Sequence, residues 1–266
     1  MILKQAAEDL DDEGVYVRYR LDGSLFNLRR LQAHTKTQER LVQDLLFADD
    51  AALVAHSGRA LQCITSCFAD ASRMFALEAS LKKTEVLHQP APQEEYTELK
   101  STQQFTYLGC TISSDAKIDI EIDRLAKANS SFGRLYKKVW NNKNLESKTK
   151  ISVYRAVVFT TLLYGSETWV TYRSHIRLLE RFHQRCLRTI LNIHLEQAEI
   201  PSVEATILKH QLRWVGHVSR MEDHRLPKIV MFGELSTGHR ERGAPKKRFK
   251  DSLKKSLSTC NIDHKQ

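Results

Sequence analysis

The segment most informative about the fold is Leu45-Leu46-Phe47-Ala48-Asp49-Asp50-Ala51-Ala52-Leu53-Val54. One apolar run leads into the two aspartates, from Leu41 to Phe47, and a second follows them, from Ala51 to Ala55. Two short apolar runs around a polar turn are typical of two buried strands joined as a β-hairpin. The sequence therefore predicts a buried hairpin that carries Asp49 and Asp50 at its tip.

Asp49 and Asp50 place two negative charges side by side, next to apolar strands. A low-dielectric core disfavours charged carboxylates, so the pair needs a cation or solvent to offset the cost. Mg²⁺ prefers carboxylate oxygen, and two such ions activate a hydroxyl and stabilise the leaving oxygens in phosphoryl transfer. The alternative is an Asp-rich turn without chemistry, because Asp is common in turns.

The segments around the hairpin carry strand and helix patterns. Residues 15–19 alternate apolar and polar side chains and are followed by Asp22-Gly23, which predicts a strand entering a turn. Apolar residues recur at steps of three and four over residues 60–75, which predicts an amphipathic helix. Pro90, Pro92 and the polar residues 93–98 predict a loop. Residues 105–112 predict a strand whose internal glycine marks a bulge or a close backbone approach.

Beyond Asp115 helical periodicity dominates. Apolar spacing predicts helices over residues 118–140, 151–162 and 175–191. Glycine, proline and many Lys and Arg residues in the tail predict an extended basic arm that ends in a short helix at residues 248–257. The predicted fold class is α+β, with a mixed part over residues 1–115, a helical region over 116–235 and a basic C-terminal arm over 236–266.

Charge is segregated along the 266 residues, whose formal net charge is +9. Residues 1–115 carry 12 Lys and Arg against 17 Asp and Glu, whereas residues 116–266 carry 29 against 15. A basic region attracts phosphates and releases counterions on binding, so this imbalance favours a nucleic-acid partner.

Several features of the sequence bear on location. There is no apolar run long enough for a transmembrane helix, and residues 1–15 lack the apolar core of a signal peptide. Five dispersed cysteines without a Cys-x-x-Cys pair suit reduced thiols. We therefore expect an intracellular protein of the nucleus or cytoplasm that is not secreted and has no membrane partner.

Two groups of basic residues are candidate phosphate contacts. The first is a stripe at steps of four, four and three residues on the helix predicted over residues 175–191: Arg177, Arg181, Arg185 and Arg188. The second lies in the tail: Arg240, Arg242, Lys246, Lys247 and Arg248. A solvated helix face is the alternative for the stripe, and a nuclear-localisation patch or a disordered segment for the tail. In the nucleic-acid interpretation both bind with little sequence preference.

Further motifs accompany the hairpin: Ser80-Leu81-Lys82-Lys83-Thr84-Glu85-Val86, Phe105-Thr106-Tyr107-Leu108-Gly109, Leu162-Leu163-Tyr164-Gly165-Ser166-Glu167-Thr168-Trp169, and Arg213-Trp214-Val215-Gly216-His217 followed by Arg220-Met221. Together with residues 45–54, they resemble, in the same order, stretches of the reverse transcriptases of non-LTR (LINE-like) retrotransposons. The resemblance covers nearly the whole chain. One such motif is weak evidence, but several in the right order are strong.

The resemblance implies a fold and a set of site residues. Residues 1–115 would be part of a polymerase palm, and residues 116–235 a thumb-like region. Asp49 and Asp50 would be catalytic and bind Mg²⁺, or Mn²⁺ in its place, and Lys83 would approach the incoming triphosphate. The strand of Tyr107 would support the primer end. The implied partners are an RNA template and DNA primer, or an RNA–DNA hybrid, and a dNTP.

One departure from the family bears on activity. Family polymerases have another catalytic aspartate on an earlier palm strand, and fingers that hold template and nucleotide. We expect this chain to lack both the aspartate and the fingers. Asp22 does not replace that aspartate, because it lies in a turn-like sequence. Two carboxylates instead of three imply weak metal binding and an incomplete two-ion site.

We therefore expect a fragment of an RNA-directed DNA polymerase that binds nucleic acid and is inactive alone. The alternatives are a non-catalytic nucleic-acid-binding module and an inert retroelement relic.

Overall fold

The structure is a computed structural model that describes residues 13–87, 100–113, 120–191, 200–237 and 247–262. The chain divides into two compact units. The first comprises Met1–Lys117, Met221–Pro245 and Lys265–Gln266, and the second comprises Ile118–Arg220 and Lys246–His264. Helices combined with small sheets agree with the predicted α+β class. The identification of palm and thumb, and the division at residues 115 and 235, stay predictions.

The elements follow one another along the described residues. The strands are β1 (Val15–Tyr19), β2 (Gln38–Val42), β3 (Asp44–Phe47), β4 (Asp50–Leu53), β5 (Glu85–Leu87), β6 (Lys100–Thr102), β7 (Gln104–Tyr107), β8 (Cys110–Ser113) and β9 (Gly233–Leu235). The α-helices are α1 (Gly58–Met74), α2 (Ile120–Leu135), α3 (Ser147–Val153), α4 (Thr160–Leu162), α5 (Arg173–Leu191), α6 (Val203–Ser219), α7 (Leu226–Phe232) and α8 (Phe249–Thr259). The 3₁₀ turns are Leu28–Gln32 and Ser166–Thr168, and the π-helical turns are Tyr136–Trp140 and Tyr154–Phe159.

The first unit contains a three-stranded antiparallel sheet in the order β2-β1-β9. The strand predicted over residues 15–19 is confirmed, and Val17 in it is buried. Gly233 allows β9 to approach closely, because a Cβ at this position would lie 2.7 Å from the Val17 side chain. Spacing within a segment does not reveal its packing partner, so the return of residues 233–235 to β1 was not predicted.

Helix α1 confirms the amphipathic helix predicted over residues 60–75. The Ser57 hydroxyl accepts a hydrogen bond from the Ala60 N–H at 3.1 Å and so caps its first turn. Ala60, Ile64 and Ala71 form its buried face. The loop predicted over residues 90–98 lies outside the described residues.

The predicted buried hairpin forms, but it is not buried. Residues 41–47 do not make one strand, because Gln43 separates β2 from β3. Strand β3 pairs with β4 in a sheet of two strands, and the exposed fraction of the Phe47 side chain is 61%. Within the described ranges no further strand joins this pair. Its apolar side chains therefore stay in contact with solvent, and the prediction of burial was wrong.

Residues 105–112 also differ from their prediction. They form a second hairpin, β7–β8, instead of one strand with a bulge. Leu108 and Gly109 connect the strands with φ angles of 49° and 74°. Positive φ at both central residues is characteristic of a type I′ turn, whose twist matches that of two antiparallel strands. The glycine therefore reverses the chain.

The second unit is helical and has an extensive core. The helices predicted over residues 118–140, 151–162 and 175–191 are confirmed by α2 and its π turn, by α3 to α4, and by α5. Its core consists of apolar side chains from these segments and from α6: Ala128, Trp140, Tyr154, Val158, Phe159, Leu162, Leu163, Trp169, Ile176, Leu179, Phe182, Cys186, Leu187, Ile190, Val203 and Ile207. None of the helices in the described part of the chain is long and apolar enough to cross a membrane.

Helix α8 confirms the short helix predicted near the end of the basic arm. The backbone N–H of Arg248 donates to the Asp251 carboxylate at 3.1 Å at its start. Leu253 is fully buried, and α8 packs against α6. The end of the arm is thus part of the helical unit.

Candidate functional site

The tip of the β3–β4 hairpin carries the two aspartates that the sequence singles out. Phe47 pairs with Asp50, so Ala48 and Asp49 form a two-residue loop. Ala48 has a φ of 52°, in the left-handed region that residues with a Cβ rarely occupy. Both aspartates are exposed. Water therefore reaches both carboxylates, and the expectation that they lie against a low-dielectric core was wrong.

The carboxylates at the tip suit Mg²⁺ by type but not by number. Carboxylate oxygen is a preferred ligand of this ion. Among the described residues, however, no group of three or more His, Cys, Asp or Glu side chains could hold a metal ion. Asp44 lies at the other end of β3, and burial raises the pKa of its carboxyl. The described residues do not fit a two-ion centre, and binding of Mg²⁺ by Asp49 and Asp50 stays a prediction.

Tyr107 lies beside the hairpin, which the sequence did not predict, and support of the primer end by its strand stays a prediction. Its hydroxyl donates a hydrogen bond to the Leu45 carbonyl at 2.9 Å, and its ring stacks on Phe105 with 6.4 Å between ring centroids. Burial and the negative charge of Asp50 both raise the pKa of the Tyr107 hydroxyl. The structure therefore brings Tyr107 and the aspartate hairpin together, with the hydroxyl anchoring β3.

Lys83 lies in an exposed turn that precedes β5. The Ser80 carbonyl holds this turn, because it accepts hydrogen bonds from the Lys83 N–H at 2.9 Å and the Thr84 hydroxyl at 3.0 Å. Within the described residues no hydrogen bond or ion pair joins the Lys83 side chain to Asp49 or Asp50. Its approach to a triphosphate stays a prediction.

The four arginines of the stripe all lie on the exposed face of α5, as their spacing predicts. Arg185 differs from the other three. Its guanidinium donates to the Asn129 side chain at 2.9 Å and lies 5.3 Å from the centre of the Phe182 ring. Arg185 therefore helps to hold α5 against α2. Arg177, Arg181 and Arg188 remain open to solvent, and their contact with nucleic acid stays a prediction.

Lys247 and Arg248 are the tail candidates that the structure describes; Arg240, Arg242 and Lys246 lie outside the described residues. The Lys247 ammonium lies 5.0 Å from the centre of the Tyr172 ring, and its backbone N–H donates to the Tyr172 hydroxyl at 3.3 Å. A cation over an aromatic ring is attracted by the ring quadrupole. Lys247 thus attaches the arm to the helical unit.

The motif at residues 162–169 contacts helix α6 just before the second C-terminal motif, which the sequence did not predict. The Ser166 hydroxyl and His210 Nδ1 are 2.8 Å apart, and the Gln211 side-chain amide donates to the Trp169 carbonyl at 2.9 Å. Ser166 and Gln211 are buried. Both of these buried side chains have a hydrogen-bond partner, so the two pairs fix α6 against residues 162–169. Periodicity carries no signal for such long-range pairs.

A second buried pair lies within the helical core. The Tyr154 hydroxyl and His183 Nδ1 are 2.8 Å apart, and burial lowers the pKa of His183 to about 4. His183 lies on the apolar face of α5 between Leu179 and Cys186. A histidine at an apolar position of the helical repeat was the available signal for this pair.

Comparison with known proteins points to a mobile-element origin. No family model matches the chain. The chain is 25% identical over 249 residues to a Caenorhabditis elegans protein named as an uncharacterized, transposon-derived protein. The match covers 84% of this chain and 88% of the worm protein. This similarity suggests that the chain originates from a transposable element.

Proposed function

We propose that this chain derives from the reverse transcriptase of a non-LTR retrotransposon and binds RNA–DNA hybrid, or an RNA template with its DNA primer, without polymerising DNA alone. The observation that carries the proposal is the hairpin that places Asp49 and Asp50 at its tip, with Tyr107 of the following hairpin bonded to its strand. This pair of neighbours matches the order and character of the family's metal-binding box and primer-grip strand.

The lack of polymerase activity follows from the metal site. Two-ion phosphoryl transfer requires metals that hold the attacking and the leaving oxygens at once. Asp49 and Asp50 form an exposed pair, and no cluster of three ligands occurs among the described residues. Magnesium binding at the tip is therefore weak, and a dNTP is not a substrate of this chain alone.

Nucleic-acid binding belongs to the helical unit in this proposal. The residues of this unit, 118–220 and 246–264, carry 23 Lys and Arg against 11 Asp and Glu. Arg177, Arg181 and Arg188 lie exposed on one face of α5, opposite the face that the core fixes. Fixed cations of this kind contact phosphates and release counterions. An intracellular location, in the nucleus or the cytoplasm, accompanies this proposal.

A non-catalytic nucleic-acid-binding module is the second candidate. The observation that favours it is the contrast between the hairpin, whose aspartates are exposed, and the well-packed helical unit that carries the basic stripe.

Primer extension on an RNA template tests the proposal. The intact chain, Asp49→Ala and the control Asp70→Ala, which removes another exposed aspartate of the first unit, are compared with Mg²⁺ and with Mn²⁺. We expect all three to bind the primer–template and none to extend it. Extension by the intact chain and the control, but not by Asp49→Ala, would overturn the claim of inactivity. Extension by all three would remove the assignment of the site to Asp49.

A further inference from the structure

Helix α6 carries a row of basic side chains along one face. Lys209, Arg213, His217 and Arg220, the last at the C-terminal end of the helix, follow one another at steps of four, four and three residues. Side chains at these steps share one helix face. All four are exposed. We call this set the α6 stripe.

The orientation of the α6 stripe is fixed by contacts elsewhere on the helix. Val203, Ile207 and Val218 are buried. The His210 ring bonds to Ser166, and the Gln211 amide bonds to the Trp169 carbonyl. Because these contacts hold the helix against rotation, the basic side chains are presented to solvent in one fixed row.

The charges of the α6 stripe have no counter-charge on the helix. Glu204 is the one carboxylate of α6, and it lies in the first turn, where both of its oxygens accept from Arg173 at 2.8 and 2.9 Å. Within the described residues, no ion pair involves Lys209, Arg213 or Arg220. Cations held close together without a carboxylate form a surface that attracts anions.

Gly216 shapes the middle of this face. A Cβ at Gly216 would lie 3.3 Å from a terminal guanidinium nitrogen of Arg220. The Arg220 side chain therefore runs back along the helix over the glycine, toward the turn that carries Arg213. Arg213 and Arg220 lie on the same helix face, and guanidinium groups bind phosphate oxygens in bidentate geometry.

We propose that the α6 stripe is a contact site for the sugar–phosphate backbone of the bound nucleic acid. It acts in addition to Arg177, Arg181 and Arg188 of α5, which we call the α5 stripe. The inference rests on the proposed function, because it specifies where the second unit contacts its ligand. From Lys209 to Arg220 the stripe is about 16 Å long. One strand of a duplex presents about five phosphates over that distance. The stripe contacts phosphates and not base edges, so it does not discriminate sequence.

Salt-dependent binding of a fluorescein-labelled RNA–DNA hybrid tests this inference. The test variant is Arg213→Gln with Arg220→Gln, and the control is Lys143→Gln with Lys148→Gln, which removes the same charge from other exposed positions of the second unit. Plotting the logarithm of affinity against the logarithm of salt concentration, we expect the slope of the test variant to shrink by about one for each phosphate that it no longer neutralises. The control keeps the slope of the intact chain, and Arg213→Lys with Arg220→Lys retains most of it.

The outcomes separate the two proposals. Suppose that the intact chain binds with a steep salt dependence, but that the test variant and the control Lys143→Gln with Lys148→Gln have equal slopes. In that case the α6 stripe does not contact the nucleic acid, and the proposed function stands. If the intact chain shows no salt-dependent binding, both proposals fail. Circular dichroism of each variant verifies that the helices are intact, which we expect because the replaced side chains are exposed.

Discussion

Phe182 and Phe47 are both large apolar side chains in predicted elements of secondary structure, yet the exposed fraction of the first is 6% and that of the second is 61%. Phe182 belongs to α5, whose apolar face is covered by neighbouring helices of the second unit. Phe47 belongs to β3, whose sheet has two strands. A helix satisfies its backbone internally and needs cover for one face, whereas a strand pair needs cover for its faces and edges. The two units therefore differ in how much of the apolar surface of their helices and strands is buried.

The same contrast holds for large apolar side chains as a group. Among the described residues of the first unit, the exposed ones are Leu45, Leu46, Phe47, Met74, Phe75, Leu77, Leu81, Leu108, Ile112, Val230 and Leu235. In the second unit they are Tyr136, Val157, Tyr164, Leu178 and Ile262. The second unit therefore has the better-formed core, and substitutions should affect the two units to different degrees.

The largest difference is expected between Leu179→Ala and Leu46→Ala. Leu179 is fully buried, so its truncation leaves a cavity and lowers the free energy of unfolding of the second unit by about 2–5 kcal/mol. Leu46 is 46% exposed, and its truncation costs less than about 0.5 kcal/mol. Urea unfolding followed by circular dichroism measures both. Equal losses would contradict the contrast between the units.

The next effect is a pH dependence of the second unit through His183. Burial lowers its pKa from 6.5 to about 4, so the unfolded chain takes up the proton at higher pH than the folded one. The folded state is therefore most stable above about pH 6.5. Its free energy of unfolding decreases by about 3 kcal/mol as the pH falls toward 4.

The free energy of unfolding is measured at several pH values from about 7 to about 4.5, a range that includes the reference pKa of histidine. His183→Gln should flatten the curve, because it removes the titrating group. The control His224→Gln replaces a histidine whose side chain is 71% exposed, and it should leave the curve unchanged. A steep curve that persists in His183→Gln would assign the effect to another group.

A smaller effect separates two kinds of arginine on α5. Arg177→Gln with Arg181→Gln should reduce the salt dependence of hybrid binding by about two and leave stability nearly unchanged, because both side chains are exposed. Arg185→Gln should lower the free energy of unfolding by about 1 kcal/mol, because Arg185 bonds to Asn129. Fluorescence anisotropy and urea unfolding distinguish the two outcomes. A loss of stability in the double variant would show that the α5 stripe is structural.

The smallest effect concerns the turns of the first unit. Ala48 and Leu108 have positive φ angles, which cost about 1 kcal/mol for a residue with a Cβ. Ala48→Gly and Leu108→Asn should therefore stabilise their hairpins by up to about 1 kcal/mol. Ala51→Gly is the control, because Ala51 lies in strand β4 of the hairpin that contains Ala48. Glycine within a strand should destabilise this hairpin, whereas Ala48→Gly should stabilise it. Hydrogen exchange of the hairpin amides measures these changes, and slower exchange in Ala51→Gly would contradict the strain argument.

The sequence predicted the helices well because their pattern is local. Ile176, Leu179 and Phe182 repeat at helical spacing, and the same residues form the buried face of α5. The hairpin at residues 44–53 was also predicted, with Asp49 and Asp50 at its tip. Its exposure was not, because an apolar strand looks the same in sequence whether or not other strands cover it.

Two further results depend on long-range contacts and backbone angles that a local pattern does not encode. The positive φ of Leu108 makes residues 105–112 a hairpin, although leucine is uncommon in the left-handed region. The Ser166–His210 pair joins residues 44 positions apart.

Nucleic-acid binding by this chain is tested most directly by the affinity of the intact chain for an RNA–DNA hybrid as a function of salt concentration. Because binding is attributed to phosphate contacts of the second unit, affinity should fall steeply between about 50 and 200 mM salt, as expected when competing cations displace several Lys and Arg side chains from phosphates. An affinity that stays constant over this range, or no binding even at the lowest salt, would contradict the claim that this chain is a nucleic-acid-binding derivative of a reverse transcriptase.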